Sequence, residues 1–433
     1  MANETLTTDV MQAPSASWID EAIFVAFLLL AFVGLSPFAV HADSVIAFGE
    51  NGTTGAGDLA RQLCYLAVFA AIVAGTFRFR GLDAFSSLPI PLILLLTWCL
   101  LSAVWTAEPG VALRRAGLAV VLVLCATLSV QTIGARRGLV LLRWVLAGVL
   151  IVNIASIRFI PQAVHLPGEN DIALVGAWRG LYGHKNIAGS VGAMTVIVFL
   201  FSARLSPSLL RKFLDIAVAA AATGFIVMTR SKSSLGLLAV ALVVGLIYRL
   251  AWKKELDRTI ALVAGILLAI VATAFVIADQ SVIARLLEDP TEFTGRTEIW
   301  QAEIAYIRDH PVFGAGFGTF ADTGGLSPLH NYVGNSWVGA VSHGHNGYLQ
   351  LLVTIGGIGF LLAFVSLIVV PLLAFWGRGS DLEMKSLLFA LFVFLALHNL
   401  METDFLEGDG VTWVAFLLML AMLDNLGRGR SVQ

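Results

Sequence analysis

The run GYLQLLVTIGGIGFLLAFVSLIVVPLLAFW, residues 347–376, carries no charged side chain and decides what kind of molecule this is. A helix needs about 20 apolar residues to cross a hydrocarbon core of ~30 Å, and this run exceeds that. Working outward from it, comparable runs recur at 22–40, 62–77, 88–105, 116–133, 139–157, 187–203, 213–229, 234–250, 259–279, 386–400 and 411–424. With 347–376 they make twelve expected spans. Composition agrees: of 433 residues, 58% are hydrophobic and 13% charged, and the mean hydropathy is +0.86. Soluble domains carry roughly 45–50% apolar and about 25% charged residues. The expected fold is therefore an all-α polytopic membrane bundle.

A net charge of −2 gives no general attraction to nucleic acid. Cys64, Cys99 and Cys125 all lie in apolar runs without metal-ligand spacing and read as small buried hydrophobes. No basic stretch precedes the first apolar run, so residues 1–21 are expected to be a polar tail rather than a cleaved leader.

Charge placement sets the expected orientation. Arg78 and Arg80; Arg136, Arg137 and Arg143; Arg204, Arg211 and Lys212; Arg249, Lys253, Lys254 and Arg258; Arg378 and Lys385; and Arg428 and Arg430 fill six short segments. By the positive-inside rule these are cytoplasmic, as are both termini. The expected organisation is a tail at 1–21, helices one to nine over 22–279 and a large outward loop at 280–346. Helices ten to twelve over 347–424 and a tail at 425–433 complete it.

The remaining eleven cations face outward against that rule: Arg61, Arg114, Arg115, Arg158, Arg179, Lys185, Arg230, Lys232, Arg285, Arg296 and Arg308. Arg230, in FIVMTRSKSSLGLLAVAL, sits with Lys232 in a hairpin tight enough to lie against the bilayer. Arginine there either snorkels or binds an anion, and its planar fork of donors suits phosphate. Arg296 opens GRTEIWQAEIAYIRDHP, where Thr294, Gly295 and Arg296 start an expected helix. Its apolar stripe would be Ile299, Trp300, Ile304, Ala305 and Ile307. A helix N-terminus with an arginine favours an anion; the alternative is a surface helix with Arg296 paired to Glu298 or Glu303. RGLYGHKNIAG, residues 179–189, places Arg179, His184, Lys185 and Asn186 at the mouth of the sixth span.

SHGHNGYLQLLVTIGGIG, residues 342–359, ends the large loop on His345 and Asn346. A histidine shared with several arginines at a membrane mouth is a candidate general base, with His343 as second choice. Glu402, in METDFLEGDG, is a candidate to orient that base, although its segment, with Asp404, Glu407 and Asp409, also reads as a solvated loop. Gly314-Ala-Gly316-Phe-Gly318 lacks the strand and spacing of a nucleotide loop.

His345-Asn346, nine residues, then Gly356-x-x-Gly359 resembles the motif of the O-antigen ligase and polysaccharide polymerase superfamily. The segment at 179–189 resembles the HKN signature of exopolysaccharide polymerases. TRSKSSLG at 229–236 is similar to the superfamily's arginine hairpin, and GRTEIW at 295–300 and HPVFGAGFGTF at 310–320 to further loop elements. The resemblance implies a metal-independent, cofactor-free, inverting glycosyltransferase of the C-type class in the bacterial inner membrane. It would move glycan from an undecaprenyl-diphosphate carrier to a hydroxyl at the periplasmic face. His345 then matches the base, and Arg230 and Arg296 the diphosphate ligands; Arg179, His184, Lys185, Asn186, Lys232, His343, Asn346 and Glu402 are accessory candidates. Implied partners are the lipid-linked oligosaccharide, a glycan or lipid-linked acceptor, membrane lipids and a chain-length regulator. The HKN segment favours a polymerase over a ligase acting on lipid A–core. A transporter or flippase of the same lipid-linked glycan is the reading from another class.

Overall fold

The computed structural model describes residues 16–38, 58–81, 88–167, 174–253, 296–321, 323–334, 336–341, 344–377 and 381–428. Among these the chain is helical, with a single isolated bridge between Val164 and Trp178 and no strand. In chain order the helices are α1 (Trp18–Phe32), α2 (Leu59–Arg80), α3 (Ile90–Leu101), α4 (Pro109–Ile133), α5 (Ala135–Phe159) and α6 (Lys185–Ser202). There follow α7 (Leu209–Thr229), α8 (Lys232–Lys253), α9 (Arg296–Asp309), α10 (Gly347–Trp376), α11 (Leu382–His398) and α12 (Val411–Arg428). Eight of them, all but α1, α3, α9 and α11, are long and apolar enough to cross a membrane. The protein is an all-α polytopic membrane protein.

Eleven expected spans coincide with helices, whereas the ninth, 259–279, lies outside the described residues, as do Arg285, Thr294, Gly295 and His343. The first begins earlier than expected. Ser17 and Asp20 form a reciprocal capping box that starts α1 at Trp18, and the helix ends at Phe32 before Gly34 at φ 73°. Hydropathy could not see that boundary because the cap is polar.

Ion pairs gather the helix ends that carry the basic segments. Arg78 pairs with Asp20 at 3.3 Å, Arg137 with Glu21 at 2.7 Å, Arg136 with Asp381 at 3.0 Å and Arg249 with Glu383 at 2.7 Å. These acids cap or open the first turns of α1 and α11, where a carboxylate also complements the helix dipole. Arg143 of α5 reaches the buried Asp215 of α7, whose other oxygen accepts from Ser206.

One apolar core runs through α1 to α8 and α10 to α12. The central helix is α6, buried on nearly every side, as a helix apolar all round must be. Its Gly189 and Gly192 let Ser231 and Ile226 approach within side-chain contact, the close packing on which membrane helices rely in place of a hydrophobic drive. A second, smaller core joins Ile299, Ala302 and Tyr306 of α9 to Ala315, Phe320, Leu329, Val338 and Val353. The buried face of α9 thus differs from the expected stripe: Ile304 is exposed, while Ala302, Glu303 and Tyr306 turn inward.

Helix α10 breaks at Gly356, whose φ is 65°. The glycine-rich segment after α9 fills the break. Ala315 N–H donates to Val353 O and Gly316 N–H to Thr354 O, both at 2.8 Å, and Gly357 N–H donates to Pro311 O at 2.8 Å. Trp98 Nε1 donates to Ile355 O, Ser102 Oγ accepts from Phe317 N–H, and Arg115 reaches Gly318 O. Irregular backbone among membrane helices persists only when its polar groups are satisfied in this way. A Cβ on Gly356 would lie 2.1 Å from Val312 O. Gly356→Ala is accordingly expected to cost about 3 kcal/mol or more, read as a lower melting temperature in detergent.

Candidate active site

At the end opposite those ion pairs, the start of α6, the start of α9, the turn before α10 and the turn after α11 meet at one carboxylate. Glu402 Oε1 accepts from Arg296 Nη2 at 2.7 Å and from Asn186 Nδ2 at 2.6 Å, while Oε2 lies 2.9 Å from His345 Nδ1. Arg296 Nη1 also donates to Met401 O at 2.6 Å. The side chains of Arg296 and Glu402 are 12% and 13% exposed and that of His345 28%, so the ring is the most open member.

Each arrives through local backbone chemistry. His345 adopts φ 52°, an αL position that throws its ring toward Glu402. Asn346 is the N-cap of α10, its Oδ1 accepting from the N–H groups of Tyr348 and Leu349, so its side chain builds the helix start. Gly347 N–H donates to Asn399 O and Glu402 O, fastening α10 to the turn after α11. In that turn Asn399 Oδ1 accepts from Asp404 and Phe405 N–H, and Asp404 bonds His398 Nδ1 and Thr412 at 2.7 Å. The solvated-loop reading of 402 and 404 is thereby corrected: both are hydrogen-bonded within the fold, Asp409 pairs with Arg61, and Glu407 is exposed. Arg296 likewise pairs with neither Glu298 nor Glu303.

Burial alone would raise the Glu402 carboxyl. The hydrogen bond and charge of His345, with the charges of Arg296 and His398, outweigh it and hold the group well below the usual carboxylate range. When the His345 ring is neutral, an ionised Glu402 at Nδ1 favours the tautomer with its proton there and its basic lone pair at Nε2.

The 179–189 segment divides its labour. Arg179 is buried, its Nε donating to Gln162 O and its Nη1 to Gly183 O, with His165 Nδ1 at 3.4 Å; it braces the loop before α6. His184 caps α6 by accepting from Asn186 N–H, and Lys185 N–H meets His165 Nε2. Burial pushes His184 down to about 3 despite the opposing pull of Glu402, with His165, His345 and Lys185 adding to the shift, so the ring is neutral at pH 7. Asn186 alone of this segment touches the carboxylate, and its Oδ1 accepts from Ser231 Oγ at 3.2 Å. Asn186→Ala should lower turnover about tenfold, measured in isolated membranes, since it removes a hydrogen bond to a charged group.

Arg230 caps α7 in the αL conformation at φ 55°, exposed, with Nη1 donating to Val175 O at 3.1 Å. Lys232 is exposed beside it. Arg230 adjoins Ser231, so it connects to the cluster through Ser231 and Asn186. Of the residues expected from sequence, Arg296, His345, Asn186 and Glu402 come together; Arg179, His184 and Asn346 support the backbone around them. Ser231 was missed, its only signal being its place beside Arg230.

The chain is similar to known proteins. Residues 216–364 match the family model for O-antigen ligase, a segment that includes Arg230, Arg296, His345 and the Gly356 break. The chain is 25% identical over 317 residues to the exopolysaccharide production protein ExoQ of Rhizobium meliloti (strain 1021), covering 70% of this chain and 69% of that protein. These two matches support the same superfamily, O-antigen ligase and ExoQ-like, that the motifs resemble.

Proposed function

We propose that the protein is a polysaccharide polymerase of the periplasmic face, joining glycan carried on undecaprenyl diphosphate to a sugar hydroxyl. One observation carries this reading: Glu402 ties a histidine and an arginine together at the mouth of the bundle, with His345 Nδ1 on the carboxylate and Nε2 on the other side of the ring. The acceptor hydroxyl attacks the anomeric carbon of the donor and gives its proton to His345 Nε2. The new C–O bond forms as the bond to the diphosphate breaks, and a single displacement inverts the centre. The departing lipid diphosphate gathers negative charge, which Arg296 and Arg230 offset. Nothing in the step calls for a metal. Arg230→Ala is expected to raise the KM for the lipid donor about tenfold while kcat falls less, because the residue sits at the rim.

Similarity to the exopolysaccharide production protein supports a polymerase; the family description supports the second reading, a ligase whose acceptor is lipid A–core. Purified protein given only the lipid-linked repeat unit separates them. A ladder of products supports polymerisation, and product only after core is added overturns it. Unchanged polymer from a stably inserted His345→Ala variant would instead favour transport of the lipid-linked glycan.

A further inference from the structure

Beside the cluster lies a second carboxyl that the mechanism above does not use. Glu303 is on the same helix as Arg296, two turns further on, and its residue is 1% exposed. Neither carboxyl oxygen has a hydrogen-bond partner among the described residues. What it touches is backbone: a Cβ placed on Gly344 would lie 2.0 Å from Glu303 Oε1 and 2.5 Å from its carboxyl carbon. One turn back, Trp300 Nε1 donates to Gly344 O at 2.8 Å. So α9 grips the residue immediately before His345 from two successive turns, one by a hydrogen bond and one by close packing. Unpaired polar atoms in a buried place are costly and ask for an explanation.

We infer that Glu303 is a positioning residue: its carboxyl, packed under Gly344, sets the height of the turn that presents His345 to Glu402. This rests on the proposed role of His345. Its own reaction chemistry is nil; it acts through the backbone. Burial raises the Glu303 carboxyl to about 8, with no charged neighbour contributing among the described residues, so the group is mostly protonated at pH 7. Ionisation above that range would place an unpaired charge in a dry contact, and the side chain would have to leave. The base would then lose its support as pH rises through about 8.

The test compares pH profiles and melting temperatures of purified wild type, Glu303→Gln and Glu303→Ala with a lipid-linked donor. Glu303→Gln, which fills the same space and cannot ionise, should keep activity within about threefold at pH 7 and lose an alkaline decline that wild type shows near pH 8. Glu303→Ala should lower kcat at least tenfold with little change in KM. Wild type must also hold a proton that its unfolded chain releases above the ordinary carboxylate range. Glu303→Gln should therefore melt higher than wild type at pH 7 and equal to it near pH 4. An alkaline decline shared by Glu303→Gln overturns the inference, as does a folded Glu303→Gln that is more than tenfold slower at pH 7. If His345→Ala is inactive and these profiles coincide, only the role of Glu303 fails. If His345→Ala is fully active, the reading of the site itself fails.

Discussion

His345→Ala is expected to lower the rate of glycan transfer by about 10²–10⁴-fold, the usual contribution of a positioned general base. The loss should fall on kcat, because in the proposed mechanism the ring meets the acceptor proton in the transition state rather than holding the donor diphosphate. The variant should fold. The side chain is 28% exposed, and Glu402, which it meets at Nδ1, keeps Arg296 and Asn186 as partners. Polymer length on a gel, with insertion checked by size-exclusion chromatography in detergent, reads both quantities. Retention of more than a tenth of wild-type kcat would remove His345 from the base role.

The second large effect belongs to Glu402. Glu402→Ala removes the acceptor of three side chains at once and leaves Arg296, 12% exposed, without its ion-pair partner. Removing one member of a buried pair costs about 3–5 kcal/mol, so a clear fall in melting temperature is expected with the loss of activity. Glu402→Gln keeps the shape and one oxygen acceptor. It should lie between wild type and Glu402→Ala in stability, while still losing about a hundredfold in kcat as the His345 tautomer is released. The sign with pH follows from the depressed carboxyl. Its stabilisation is fully present above the ordinary carboxylate range and is lost as pH falls through that range and below it. The stability gap between wild type and Glu402→Ala should therefore narrow in acid. A gap independent of pH would show that the charge contributes nothing.

The helices were legible because lipid demands long uncharged runs, and no other common fold produces them at this density. Arg296 and His345 were legible because a charge or a histidine at a span mouth conflicts with its surroundings. Their meeting point was not. Glu402 sits among three other acidic residues and two glycines, a composition indistinguishable from a solvated turn. Its folding inward shows in the bonds of Asn399 and Asp404 inside the turn and in the partners that reach Glu402 from Asn186, Arg296 and His345, far away in sequence. The glycines at 314, 316 and 318 show the same limit. Sequence could exclude a nucleotide loop, but the broken helix that receives them lies some forty residues away and is announced only by Gly356. Arg179 illustrates the converse, a cation conspicuous in sequence that braces a loop. Glu303 hid inside an amphipathic pattern because helical periodicity assigns a glutamate to water.

The break at Gly356 has a mechanical side. Above it, Val353 of α10 shares the smaller core with α9 and the inserted glycine segment, so Arg296 and His345 lie on the side of that core, although Leu351 and Ile355 of the same turns belong to the large one. Glu402 and Asn186 ride on the other, the large bundle. Residues 399–402 tie the two together through Gly347 N–H, the Arg296 guanidinium and the His345 ring, beside the ties that Trp98, Ser102 and Arg115 make. In the proposed mechanism an anionic donor drawn to Arg296 would pull on the same tie that holds the proton acceptor in line, which would make loading and readiness mechanically one variable.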